Sequence, residues 1–208
     1  SPKPLEPGRR YRVSVRLNEA AHRFPAGNRL RISISTSYWP LAWPSPEPVR
    51  LELFGENTRI RVPERPPRDE DALLRTLGEP RGAPATERRV IRAPHRNWIV
   101  HHDLARDQAT LEVINDAGRF VIEDIDLEVG TRAREWYRCT GDDLNTVRAE
   151  TCWERSLSRG DWSVRTVTRT VLTSDERHFF VVASLDAWHD DKRVFSENWD
   201  ERIERDLV

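Results

Sequence analysis

Apolar side chains fall at every second position along much of residues 10–62. Tyr11, Val13, Val15 and Leu17 alternate with Arg and Ser; Leu30, Ile32 and Ile34 repeat the pattern, as do Val49, Leu51 and Leu53. Period two with β-branched residues predicts strands with one buried face. Phe24-Pro25-Ala26-Gly27-Asn28, between the first two, has the φ-fixing Pro and permissive Gly of a turn. Residues 63–89 break the alternation: Pro63, Pro66, Pro67, Pro80 and Pro84 interrupt strands and helices alike. This stretch reads as a linker or a strap across a neighbour, with a short helix from Asp69 to Leu77 capped by Asp69.

Residues 90–208 predict a long antiparallel meander. Turn candidates are Asn115-Asp116-Ala117-Gly118, Ser158-Arg159-Gly160-Asp161, Ser174-Asp175-Glu176 and His189-Asp190-Asp191-Lys192. The segments around the last three, at roughly 3.3 Å per residue, would be strands of about 40 Å. Val147, Ala149, Thr151 and Trp153 mark one face of the first, and Phe179, Val181, Ala183, Leu185 and Ala187 one face of the third. Phe195, Trp199 and Ile203 fit a strand face, but their spacing of four also suits a helix. Frequent Ala, Glu and Arg make helix the rival reading for 146–205; the Thr/Val run from Val164 to Val171 argues against it.

Hydrophobic residues are 37% and charged residues 33% of the 208, so a core competes with a wet surface. The net charge of −1 opposes a general nucleic-acid surface. Only Lys3 and Lys192 are Lys, and the abundant Arg predicts cross-strand ion pairs with Asp and Glu. Met is absent and the chain starts Ser1-Pro2-Lys3-Pro4, which leads us to expect a piece of a larger protein. No apolar run or signal-peptide pattern is seen, so the expected location is cytoplasmic. A hairpin at Gly141–Asn145 would set Cys139 against the region of Val147 rather than Cys152, which points to free thiols in a reducing compartment.

Chemistry is sparse. None of the nine glycines brackets a Ser as G-x-S-x-G, the bend that exposes a nucleophile; Ser158-Arg159-Gly160 is a half match with Ser156 where Gly is needed. Adjacent His101 and His102 would point to opposite faces of a strand, and no H-x-x-x-H or C-x-x-C spacing supports a metal. Glu123, Asp124, Asp126 and Glu128 read as a solvated strand face rather than a glycosidase pair. The expectation is no catalytic residue, no metal and no cofactor in this chain. Aromatic residues say more: eight Trp include Trp39 and Trp43 in the loop Tyr38-Trp39-Pro40-Leu41-Ala42-Trp43-Pro44. Tyr38, Trp39 and Trp43 are the candidate binding residues. Such a loop can dock on another domain, cover a pocket, stack a sugar, or fold under its own core.

Leu5-Glu-Pro-Gly8 and then Ala21-His22-Arg23-Phe24-Pro25-Ala26-Gly27-Asn28-Arg29-Leu30-Arg31 resemble the C-terminal region of the X-Pro dipeptidyl-peptidase-like hydrolases, the CocE/NonD group. That family carries L-x-P-G followed by A-H-x-F-x-A-G-H-R-L-R; Asn28 replaces the usual His, so no role passes to it. Ser35 to Pro40 matches the next loop, and the resemblance covers 4–54. It implies a parent with an α/β-hydrolase domain, a Ser-His-Asp triad, a helical cap and a C-terminal jelly roll, with the triad upstream of this chain. The expected fold is mainly β: 1–62 as later strands of a jelly-roll (galactose-binding-like) domain, 63–89 as a Pro-rich linker, and 90–208 as an antiparallel β-sheet extension. The expected partner is the parent's catalytic domain, with a homo-oligomer possible through exposed strand edges and no nucleic acid or membrane. The alternative is a free-standing carbohydrate- or small-ligand-binding β module.

Overall fold

A computed structural model describes residues 3–207; Ser1-Pro2 of the proposed start and Val208 lie outside them. Eight strands follow one another: β1 (Arg88–Arg92), β2 (His95–Asp103), β3 (Gln108–Ile122), β4 (Leu127–Thr140), β5 (Asp143–Arg159), β6 (Trp162–Ser174), β7 (His178–His189) and β8 (Lys192–Glu204). They form one antiparallel sheet in the order β1-β3-β4-β5-β6-β7-β8, with β2 sharing β3 beside β1. From β3 onward each strand pairs with the one before it in sequence, so short connections suffice there. The expected meander is therefore present. Its longest strand, β5, has 17 residues, about 55 Å at roughly 3.3 Å per residue.

Register sorts the side chains into two faces, because directly opposed residues share a face. Val100, Leu111, Tyr137, Ala149, Leu172 and Val181 lie in one row across six strands. Ala133, Trp153, Thr168 and Leu185 form another row on that face, which is apolar and Thr-rich. Ala133 and Val147, 0% and 1% exposed, are its most deeply buried members. Phe195, Trp199 and Ile203 share this face from β8, opposite Ala187, Ala183 and Phe179. The helical alternatives for 146–205 are thus corrected to strand: a β-branched run at period two gains a ladder on both sides, which no helix offers.

The opposite face is charged. Asp116 accepts two bonds from Arg92, at 2.5 and 2.9 Å, and one from Arg132 Nε at 3.2 Å. Glu112 meets His101 Nε2 at 3.0 Å and Arg134 at 2.5 Å; Glu150 meets Arg169 at 2.6 Å and Arg148 at 3.1 Å. Cys139 and Cys152 project from opposite faces and both are free. His101 and His102 likewise diverge, His102 Nε2 lying 3.2 Å from Asp107.

The turns at 159–162, 174–178 and 189–192 stand where the sequence puts them. Asn115–Gly118 does not turn the chain. It is a bulge inside β3, where the register shifts between Asp116 and Arg119. The Asp116 carboxylate accepts the Gly118 N–H at 2.8 Å, closing the loop locally while the strand continues. Glu123–Ile125 is a 3-10 turn between β3 and β4, not a strand face. The 69–77 helix shrinks to a 3-10 turn, Asp69–Leu73, with Arg68 rather than Asp69 at its N-cap. Asp71, which holds the Arg68 N–H at 3.1 Å and Arg65, supplies the closing contacts.

The segments at 11–17, 30–34 and 49–53 form no ladder among the described residues, and their apolar side chains are exposed, Val13 by 76%. The turn between the first two is made, with Asn28 N–H bonded to Pro25 O at 3.2 Å. Alternation specifies one face to bury, but a strand without neighbours leaves its N–H and C=O groups to water. Among the described residues no helix is long and apolar enough to cross a membrane.

Candidate docking site

Three residues were singled out by sequence: Tyr38, Trp39 and Trp43. They occupy a compact bend in which Ala42 N–H bonds to Tyr38 O at 3.0 Å and the Trp39–Pro40 bond is cis. Trp39 and Trp43 stack edge-on, centroids 5.1 Å apart. The pair lies on the apolar face of the sheet: Trp39 reaches Tyr137 on β4 at 5.9 Å, and Trp43 reaches Phe179 on β7 at 5.9 Å, both edge-on. Edge-to-face rings of this kind add to the area they bury. Trp43 Nε1–H donates to Ser174 Oγ at 2.8 Å, so its one polar atom is satisfied. Tyr38 points elsewhere. It is 68% exposed, and Leu41 beside it is 72% exposed.

Arg205, just past β8, locks the bend in place. Only 6% exposed, it donates to Pro44 O at 2.6 Å, Ser174 Oγ at 3.1 Å and Asp175 O at 2.9 Å, with its guanidinium 4.7 Å over the Phe179 ring. Pro44 is itself buried. Pro44 has no N–H of its own, so its carbonyl is the backbone group it presents to this fork of donors. Burial pushes the Arg205 pKa down, opposed by the charge of Asp175. Three fixed acceptors and an aromatic face are what allow a guanidinium to sit there. Tyr137 is pushed up to about 12, by burial first and then by donating to Glu135 at 2.6 Å. Burial also raises the Cys139 thiol, which lies in the same row of β4.

The sequence singles out the loop's aromatics but not what Trp39 and Trp43 pack on, which is this chain's own sheet. Ser174 appeared only as a turn residue, and Arg205 carried no signal at all. The two contacts join positions 131 and 161 residues apart, beyond any local pattern. Among the described residues no group of three or more His, Cys, Asp or Glu is placed to hold a metal.

Residues 1–100 match the X-Pro dipeptidyl-peptidase C-terminal non-catalytic domain. That match runs through the Trp loop and ends inside β2, so it includes the docking bend but not its receptor on β4, β6 and β7. No curated protein and no solved structure matches the chain. The X-Pro dipeptidyl-peptidase C-terminal domain is non-catalytic by description. The meander from β3 onward lies outside the matched region, and Arg205 and Ser174 are where it holds the Trp loop.

Proposed function

We propose that the chain is the non-catalytic C-terminal part of a CocE/NonD-type serine hydrolase, that it packs on the α/β-hydrolase domain, and that it helps to shape an ester or amide substrate pocket. The family match over 1–100 carries this reading. The segments at 11–17, 30–34 and 49–53 support it, since they alternate as strands do yet find no ladder among the described residues. In this reading residues 1–62 are later strands of a jelly roll, 63–89 a connecting strap and 90–208 an extension that fixes the loop from behind. Trp39 and Trp43 anchor the bend, while Tyr38 and Leu41 face the catalytic domain. The parent works in the cytoplasm.

The sugar-binding alternative loses its best residues. Trp39 and Trp43 engage each other, Tyr137 and Phe179, so glycan titration of Trp fluorescence is expected to be flat. A fluorophosphonate probe tests the main reading. It is expected to label no Ser in this chain and one Ser, in a G-x-S-x-G sequence upstream, in the parent. Labelling within this chain would refute it.

A further inference from the structure

The bulge in β3 has a second consequence at the sheet edge. β1 and β2 both pair with β3, and Pro94 separates them. Gly118 sits at the junction with φ +77°, and a Cβ there would lie 2.2 Å from Arg92 O. Only a glycine permits that approach. Asp116, buried, ties Arg92, Arg132 and the Gly118 N–H into one fixed corner. Beside it opens a cleft of about 540 Å³ lined by four arginines, Arg88, Arg92, Arg96 and Arg119, together with Val90, Pro94, Ala117 and Phe120. That size falls among small-molecule sites, roughly 300–1,000 Å³.

The lining has an uncompensated charge. Arg92 is neutralised by Asp116 and Arg119 by Glu128, both on the charged face. Arg88 and Arg96 come from the other face, opposite Ile122 and Asn115, and neither has a carboxylate within ion-pair distance among the described residues. Arg88 lies 4.8 Å over the Phe120 ring, and Val90 stands opposite Phe120. Two guanidinium groups therefore flank an aromatic and aliphatic floor. A guanidinium presents a planar fork matched to a carboxylate.

We propose that this corner binds a small organic carboxylate with an apolar or aromatic body. The carboxylate pairs with the guanidinium of Arg88 or of Arg96, and the body lies on Val90, Pro94 and Phe120. The inference is independent of the hydrolase reading and is tested on the chain itself. Calorimetric titration of the 208-residue protein with sodium 2-naphthoate should show one site with Kd below about 1 mM. Neutral 2-naphthylmethanol and inorganic phosphate should each bind at least about fivefold more weakly, since each lacks half of the match. The Arg88→Ala/Arg96→Ala protein should bind naphthoate at least about tenfold more weakly, and Arg193→Ala, paired with Asp186 at the far edge, should bind normally. If the double alanine protein fails to fold by circular dichroism, Arg88→Gln/Arg96→Gln replaces it with the same expectation. No binding, equal binding of the alcohol or phosphate, or undiminished binding by the folded double variant would overturn the proposal.

Discussion

At the scale of single residues, two positions hold geometry that nothing else in the chain can supply. Gly118 has a left-handed φ and no room for a Cβ against the Arg92 carbonyl. Gly118→Ala must move β1 or flatten the bulge, and a loss of more than about 1 kcal/mol in urea unfolding is expected. An unchanged midpoint would contradict the bulge geometry. Arg205 fills three acceptors from a buried position. Its removal takes the arginine donors from Pro44 O and Asp175 O, while Ser174 Oγ keeps the Trp43 N–H, at a cost of about 1–3 kcal/mol. The more specific expectation for Arg205→Ala is release of the bend. Trp emission should shift to the red, and a protease should begin to cut within 38–48, where the parent chain resists. Neither site was legible beforehand. Asn115–Gly118 has the composition of a hairpin turn, and only the pairing of Asp116 with its own Gly118 N–H and with two arginines keeps the strand running through it. Arg205 is one Arg among many until the chain folds it back on residue 44.

At the scale of strands, alternation was clearest in strands with a ladder on each side. The faces of β5 and β7 could be named residue by residue, since register preserves the period of two, whereas the spacing of four in the edge strand β8 left strand and helix open. The charged face was foreseeable as ion pairs but not as particular pairs, because diagonal partners such as Arg134 and Glu112 depend on twist and reach. Those pairs set a pH dependence. Asp116 is held well below the usual carboxylate range, chiefly by Arg92. Glu112 is lowered by His101 first and Arg134 next; Glu150 is raised by burial but lowered further by Arg169 and Arg148. Their pKa values fall on folding, so the stability they bring is complete above the unfolded values of about 4 and is lost as pH drops through the folded ones. The urea midpoint should therefore decline below about pH 4. Tyr137 acts in the opposite sense. Raised to about 12, it favours the fold below its unfolded value of about 10, and this support disappears as pH climbs towards about 12. Tyr137→Phe should remove the part of the alkaline loss that falls between about pH 10 and 12, while the contribution of the raised Cys139 thiol and the acid part remain.

At the scale of the whole molecule, the chain contains two kinds of β sequence in different conditions. The meander pairs its own backbone from β1 to β8 and leaves open only the outer edges of β1, β2 and β8. Residues 11–17, 30–34 and 49–53 carry an equally clear period of two and have no ladder among the described residues. Pattern therefore reports what a segment is built to pair with, not whether the partner is within the same chain. That is why the sequence made the two regions look alike. If the missing neighbours lie in the parent enzyme, amide exchange should separate the regions. In this chain alone, the amides of 11–17, 30–34 and 49–53 should exchange at nearly unprotected rates, while those of β4 to β7 are slow, as the central strands of a hairpin-connected sheet require. In the parent protein the first group should slow by at least about a hundredfold, since each new ladder bond must open before exchange, and β4 to β7 should change little. Protection of the N-terminal segments in the isolated chain would mean that they find partners at home, through a second copy or the exposed edge of β8. Their alternation would then be explained without a catalytic domain.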